Sequence, residues 1–149
     1  MTHPVQSAGA LRRPSRWPPW LRQFVKFALV GGSGTLVNLA VFSLIIYLYV
    51  KAAGERPLVV EQAASGVAFC VAVVSNFTLN RRWTFRHSGP IIARFGRFFL
   101  VSCMGLALNV FFYTALHEWA GLGEHLSELL AIACVLPLNF LGSKFWAFR

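Results

Sequence analysis

A chain of 149 residues that is 56% hydrophobic, 15% aromatic and only 13% charged lies outside the range of soluble domains, in which charged residues alone approach a quarter. Its net charge of +9 would ordinarily suggest nucleic acid as a partner, but the cations sit at the ends of apolar spans, where they face lipid headgroups instead. These properties describe one small membrane domain.

Residues 1–22 contain Pro4, Pro14, Pro18 and Pro19 with Arg12, Arg13 and Arg16 and show no apolar periodicity, so they are predicted to form a flexible basic cytoplasmic tail. The apolar run that follows is far longer than the roughly 7–15 residues of a signal-peptide core, and no small-residue cleavage site ends it, so it is expected to be retained. Trp17, Trp20 and Arg22 are placed at the interface just ahead of it. Four spans can be drawn: Phe24–Val50, Leu58–Leu79, Phe95–Leu116 and Leu126–Phe145. Each reaches the roughly 20 residues a helix needs to cross about 30 Å of hydrocarbon. They are apolar on every face, whereas barrel strands would alternate, so the expected class is an all-α membrane protein.

The loops set the orientation. Twelve of the 14 cations fall before the first span, between the second and third, or at the chain end, whereas all five acids (Glu55, Glu61, Glu118, Glu124, Glu128) fall in or beside the other two loops. The positive-inside rule then puts both termini and the central loop in the cytoplasm.

The chain also repeats itself. Asn76, Phe77, Arg81, Trp83, Phe85 and Arg86 recur 63 residues later as Asn139, Phe140, Lys144, Trp146, Phe148 and Arg149. Phe24, Lys26, Phe27, Gly34 and Asn38 recur 71 residues later as Phe95, Arg97, Phe98, Gly105 and Asn109, and the shift falls because the second outer loop is shorter. The domain 23–149 is therefore expected to hold two parallel-repeat helical hairpins, 24–86 and 95–149, related by a pseudo-two-fold along the membrane normal.

The polar residues inside the spans are few and alike in placement. Asn38 and Asn109 fall somewhat beyond mid-membrane, each four residues after a glycine on the same stripe, where close helix approach and an interhelical amide bond are both available. The second and fourth spans carry the stripes Ala64, Ala68, Ala72, Asn76 and Ser127, Ala131, Val135, Asn139. Pro137 removes a donor two residues before Asn139, and a kink is expected there. Trp83 and Phe85, like Trp146 and Phe148, are expected to lie at headgroup level. No catalytic constellation, resident cofactor or metal site is predicted: no acid lies deep in a span, His3, His87, His117 and His125 lack ligand spacing, and Cys70, Cys103 and Cys134 sit singly in the spans.

The segments 24–38, 75–85 and 138–148 resemble the GtrA-like family of small four-helix bacterial membrane proteins, and the resemblance covers everything after the tail. It implies a multi-pass protein of the bacterial cytoplasmic membrane, associated with cell-surface polysaccharide synthesis. Such proteins either move a polyprenyl-phosphate-linked monosaccharide to the outer leaflet or anchor the glycosyltransferase that makes it. The substrate chemistry then assigns phosphate contacts to Arg81, Arg82, Lys144, Lys26 and Arg97, and sugar or headgroup contacts to Asn38, Asn76, Asn80, Asn109 and Asn139. The second copy has Ser143 for Asn80 and Phe145 for Arg82, so it is expected to hold phosphate less well. Four short helices leave little interior, and a homodimer is expected.

Overall fold

The computed structural model describes residues 17–149, which leaves Arg12, Arg13 and Arg16 of the predicted tail outside the described residues. Four helices follow one another: α1 (Pro19–Ala53), α2 (Leu58–Leu79), α3 (Ile91–Thr114) and α4 (Glu124–Gly142). The last three run on into five-residue π-helical turns at Asn80–Thr84, Ala115–Trp119 and Ser143–Ala147. No strand occurs among the described residues, and all four helices are long and apolar enough to span a bilayer.

Local chemistry explains the boundaries. Pro18, Pro57 and Pro90 stand immediately before α1, α2 and α3, where fixed φ and a missing N–H suit a helix start whose first donors have no partner in any case. Because Pro18 and Pro19 set this start, α1 begins five residues ahead of the apolar span. At its other end Gly54 adopts φ 76°, a left-handed cap, and its N–H donates to Val50 O at 2.8 Å. Pro137 lies within α4, which continues beyond it.

Each helix packs chiefly on its sequence neighbour, α1 on α2 and α3 on α4, while the hairpins meet along α1–α4 and α2–α3. Lipid tails are as apolar as leucine, so the hairpins close through small residues and close approach rather than through exclusion of water. Ala64, Ala68 and Ala72 are buried along one face of α2, as are Ser127, Ala131 and Val135 along α4. One step further along each stripe, an asparagine meets a glycine. A Cβ added to Gly34 would lie 2.6 Å from Asn76 Cγ, and one added to Gly105 would lie 2.7 Å from Asn139 Cγ. Gly34 and Gly105 are therefore the recesses that receive the amides of the partner helices.

The hairpins are joined by phenylalanine. Phe24 meets Phe140 edge-on at 5.3 Å and Phe95 meets Phe77 at 5.3 Å, while Phe27–Phe140 and Phe98–Phe77 lie at 5.6 and 5.7 Å. These pairs obey the same 71- and 63-residue offsets as the sequence matches. Phe85 and Phe148, the partners under the 63-residue offset, stack on each other at 4.7 Å. The cluster gathers the beginnings of α1 and α3 and the ends of α2 and α4 at one end of the bundle.

The two hairpins differ in height. Beyond the Gly–Asn contacts, α1 runs about five residues further than α3 with its π turn, and α2 about three further than α4, so the first hairpin stands roughly 5–8 Å taller at about 1.5 Å per residue.

Candidate functional site

The aromatic end carries most of the predicted site residues, and the π-helical turn Asn80–Thr84 arranges them. Phe85 N–H donates to Asn80 O at 2.8 Å, a bond one residue longer than an α-helical one, and the matching bond in the other hairpin joins Phe148 N–H to Ser143 O at 2.9 Å. In this turn Asn80 and Thr84 point inward, 2% and 4% exposed, while Arg82 and Trp83 point outward. Ser143 and Ala147 are the buried pair of the second turn.

Each turn is tied to the helix that opens its own hairpin. Lys26 Nζ donates to Trp83 O at 3.4 Å and lies 5.0 Å from the Trp83 ring. Arg97 Nη1 donates to Trp146 O at 3.4 Å. Two cations predicted for phosphate are thus engaged with backbone carbonyls, which fixes them at the level of the turns. Trp83 and Trp146 are each about half exposed, as rings at a headgroup layer would be.

Beyond Asn80, the chain leaves the turn through Arg86 at φ 49°, and His87 N–H closes it by donating to Arg81 O at 3.0 Å. Arg81, Arg82, Arg86, His87 and Ser88 then line an open cleft of about 340 Å³. Lys144 is not part of this lining; its Nζ lies 5.5 Å from the rings of Phe140 and Phe145. Arg94, which was not among the predicted residues, donates from Nη2 to Arg149 O at 3.4 Å and so pins the chain end to α3.

Four buried polar atoms at the end of α2 and in its π turn have no hydrogen-bond partner among the described residues: Asn76 Oδ1, Asn80 Oδ1, Thr84 Oγ1 and Arg81 Nε. The second hairpin contributes Ser143 Oγ and Arg94 Nη1. Asn139 takes the place opposite Gly105 that Asn76 takes opposite Gly34. Asn38 and Asn109 lie away from the cleft, and Asn109 Nδ2 donates to Glu128 Oε1 at 3.5 Å. The structure thus places Arg81 and Arg82 on the cleft, Asn80 buried in the same turn and Asn76 in the Gly34 recess, and leaves Lys144, Asn109 and Asn139 on the other hairpin.

Sequence reasoning missed Thr84, although Asn76, Asn80 and Thr84 recur at four-residue spacing on one face of a helix. Spacing also leaves the partner of each Gly undetermined: Gly34 shares a contact stripe with Asn38, but the amide that meets it is that of Asn76. Among the described residues no group of three or more His, Cys, Asp or Glu side chains is placed to hold a metal ion.

Comparison with known proteins agrees with this architecture. The chain is 28% identical over 134 residues to a dolichol-phosphate mannosyltransferase of Pyrococcus furiosus, a match that takes in 89% of this chain and 35% of that protein. It therefore spans about a third of that relative's length. A family model, described as the GtrA/DPMS transmembrane domain, matches residues 26–148. With that match covering all four helices, the chain belongs to the GtrA/DPMS transmembrane-domain family.

Proposed function

We propose that this protein carries a polyprenyl-phosphate-linked monosaccharide from the cytoplasmic to the outer leaflet of a bacterial cytoplasmic membrane, for use in cell-surface polysaccharide synthesis. The aromatic end is then cytoplasmic. The observation that carries the reading is the adjacency of two chemistries at that end: a cleft lined by Arg81, Arg82 and Arg86, and the unpartnered oxygens of Asn80 and Thr84 beside it. A lipid-linked sugar has one phosphate, a hydroxyl-rich ring and a long apolar tail. Guanidinium groups match the phosphate, amide and hydroxyl oxygens replace water around the sugar, and the exposed apolar helix faces accommodate the tail. In this reading the protein makes and breaks no covalent bond, and movement follows the gradient of the lipid.

The route beyond the cleft passes Asn38 and Asn109. Asn→Leu at both positions keeps a similar volume and removes every donor and acceptor. In liposomes containing only the purified protein and a labelled polyprenyl-phosphate sugar, wild type should exchange lipid between leaflets well above protein-free vesicles. The double variant should lower the rate several-fold while helicity stays unchanged. Equal rates in vesicles with and without wild-type protein would overturn the carrier reading.

A second reading has its own observation. The relative named above is a mannosyltransferase of which this chain matches about a third, which supports a membrane anchor for a glycosyltransferase. An anchor raises the output of a co-reconstituted transferase without exchanging lipid, so the same vesicles separate the two. Either role is compatible with a homodimer, which would cover part of the exposed apolar surface. Light scattering of the detergent complex should read two chains, and a single chain that still exchanges lipid would sink that expectation.

A further inference from the structure

We infer that the first hairpin alone forms a hydroxyl-binding seat from Asn80 and Thr84, and that the seat takes the sugar of a polyprenyl-phosphate sugar whose phosphate lies at Arg81 and Arg82. The inference rests on the lipid-carrier reading above and adds where the sugar sits and how many the chain holds.

The seat is defined by burial together with missing partners. Asn80 and Thr84 are 2% and 4% exposed, yet Asn80 Oδ1 and Thr84 Oγ1 make no hydrogen bond to the described residues. In apolar surroundings such atoms carry their full desolvation penalty, so a group that satisfies them is bound with corresponding gain. The donor inventory selects its class. The Asn80 amide oxygen can only accept, whereas the threonine hydroxyl both donates and accepts, so the complement must supply O–H groups and accept at least one bond. A metal cation would also suit oxygen ligands, but Lys26, Arg81 and Arg82 lie on or against the same turn and would repel it. A neutral polyhydroxyl ring meets both conditions. Arg81 Nε, also buried without a partner, belongs to the cleft-lining residue that follows Asn80 and can donate to the oxygen that joins phosphate to sugar.

The second hairpin lacks these features at the matching positions. Ser143 replaces Asn80, Ala147 replaces Thr84 and Phe145 replaces Arg82, so the second turn keeps one unpartnered hydroxyl and one cation of its own, Lys144. One seat per chain follows. Its contents must enter past the turn, which is held to α1 by Lys26 Nζ on Trp83 O at 3.4 Å.

The test uses the full-length protein in nanodiscs and two synthetic probes, a polyprenyl phosphate and the same lipid bearing one hexose, read by native mass spectrometry. Wild type should bind one hexose lipid per chain, about tenfold more tightly than the bare phosphate, since two or three new hydrogen bonds are worth at least that factor. Thr84→Val, which keeps the branched shape, and Asn80→Leu should abolish the preference and leave affinity for the bare lipid unchanged. Thr84→Ser should retain the preference, and Ser143→Ala should change neither affinity. Equal wild-type affinity for the two probes overturns the seat while leaving the phosphate site standing. A loss of preference in Ser143→Ala as large as in Thr84→Val, or two lipids per chain, overturns its confinement to the first hairpin. Failure of wild type to bind either probe overturns the seat and the carrier reading together.

Discussion

The two hairpins share the residues that hold helices together and differ in those that could hold a ligand. Both close on a glycine recess filled by asparagine, both end in a π-helical turn with a half-exposed tryptophan, and both tie that turn to the opening helix through a cation on the tryptophan carbonyl. Where the turns diverge, the first has Asn80, Arg82 and Thr84 and the second Ser143, Phe145 and Ala147. A side chain kept in both copies is therefore read first as part of the frame, and one present in a single copy as a candidate for recognition. By that criterion Lys26 and Arg97 belong with the frame, and Arg82 and Thr84 stand out.

The largest effect expected from breaking the shared frame comes from the ring stack that joins the hairpins. Phe148 is buried and touches Phe77, Phe85 and Phe98, so Phe148→Ala should destabilise the protein by about 3 kcal/mol, the lower end for a buried Phe because lipid already surrounds much of the bundle. Phe85 is less buried, and Phe85→Ala should cost less. Thermal unfolding in a mild detergent reads both, and a larger loss at Phe85 would contradict the packing described.

Next come the glycine recesses. Gly34→Ala and Gly105→Ala should each cost about 1–3 kcal/mol as an added methyl displaces the facing amide, and the two should agree to within about 0.5 kcal/mol if the hairpins are built alike. Asn76→Ala should recover most of the Gly34→Ala loss in a double-mutant cycle. An additive cycle would mean that the two residues do not meet.

The smallest expected effect, on binding alone, sharpens the difference between the turns. Arg82→Ala should weaken binding of bare polyprenyl phosphate about tenfold, or roughly 1.4 kcal/mol, without lowering the unfolding temperature, because an exposed interfacial arginine contributes little to folding. Phe145→Arg should create a second, weaker phosphate site in the other hairpin. A titration of solubilised protein with the lipid checks both, and an unchanged affinity in Arg82→Ala would remove the cleft from consideration.

Much of this was legible in the sequence, and the exceptions have physical causes. The second span, Leu58–Leu79, coincides with α2, whose start Pro57 marks; at its other end Asn80 is itself helical and the chain runs on into the π turn. The start of α1 was placed too late because hydropathy weighs Trp20 and Arg22 as interface and gives no credit to Pro18 and Pro19 as a helix start. The π turns leave no compositional mark, since one residue of extra backbone register changes which side chains point inward without changing their identity. Gly34 could be seen to sit on a contact stripe, but its partner is 42 positions away on another helix, and four-residue spacing reports only on its own helix. Separating Lys26 and Arg97 from Arg82 likewise needed the carbonyls of Trp83 and Trp146, which only the folded chain brings within reach.

The unequal height of the hairpins has a consequence for the surrounding membrane. With the aromatic end held at one headgroup layer, the shorter α3–α4 pair reaches the opposite layer roughly 5–8 Å sooner than α1–α2, so a bilayer of uniform thickness cannot match both. The lipids beside α3–α4 must compress or that pair must stand more upright, and mismatch of this kind costs fractions of a kcal/mol per Å. Where the lipids compress rather than the helices straighten, a thinned strip of bilayer runs along that flank, and a polar headgroup has the least hydrocarbon to cross there.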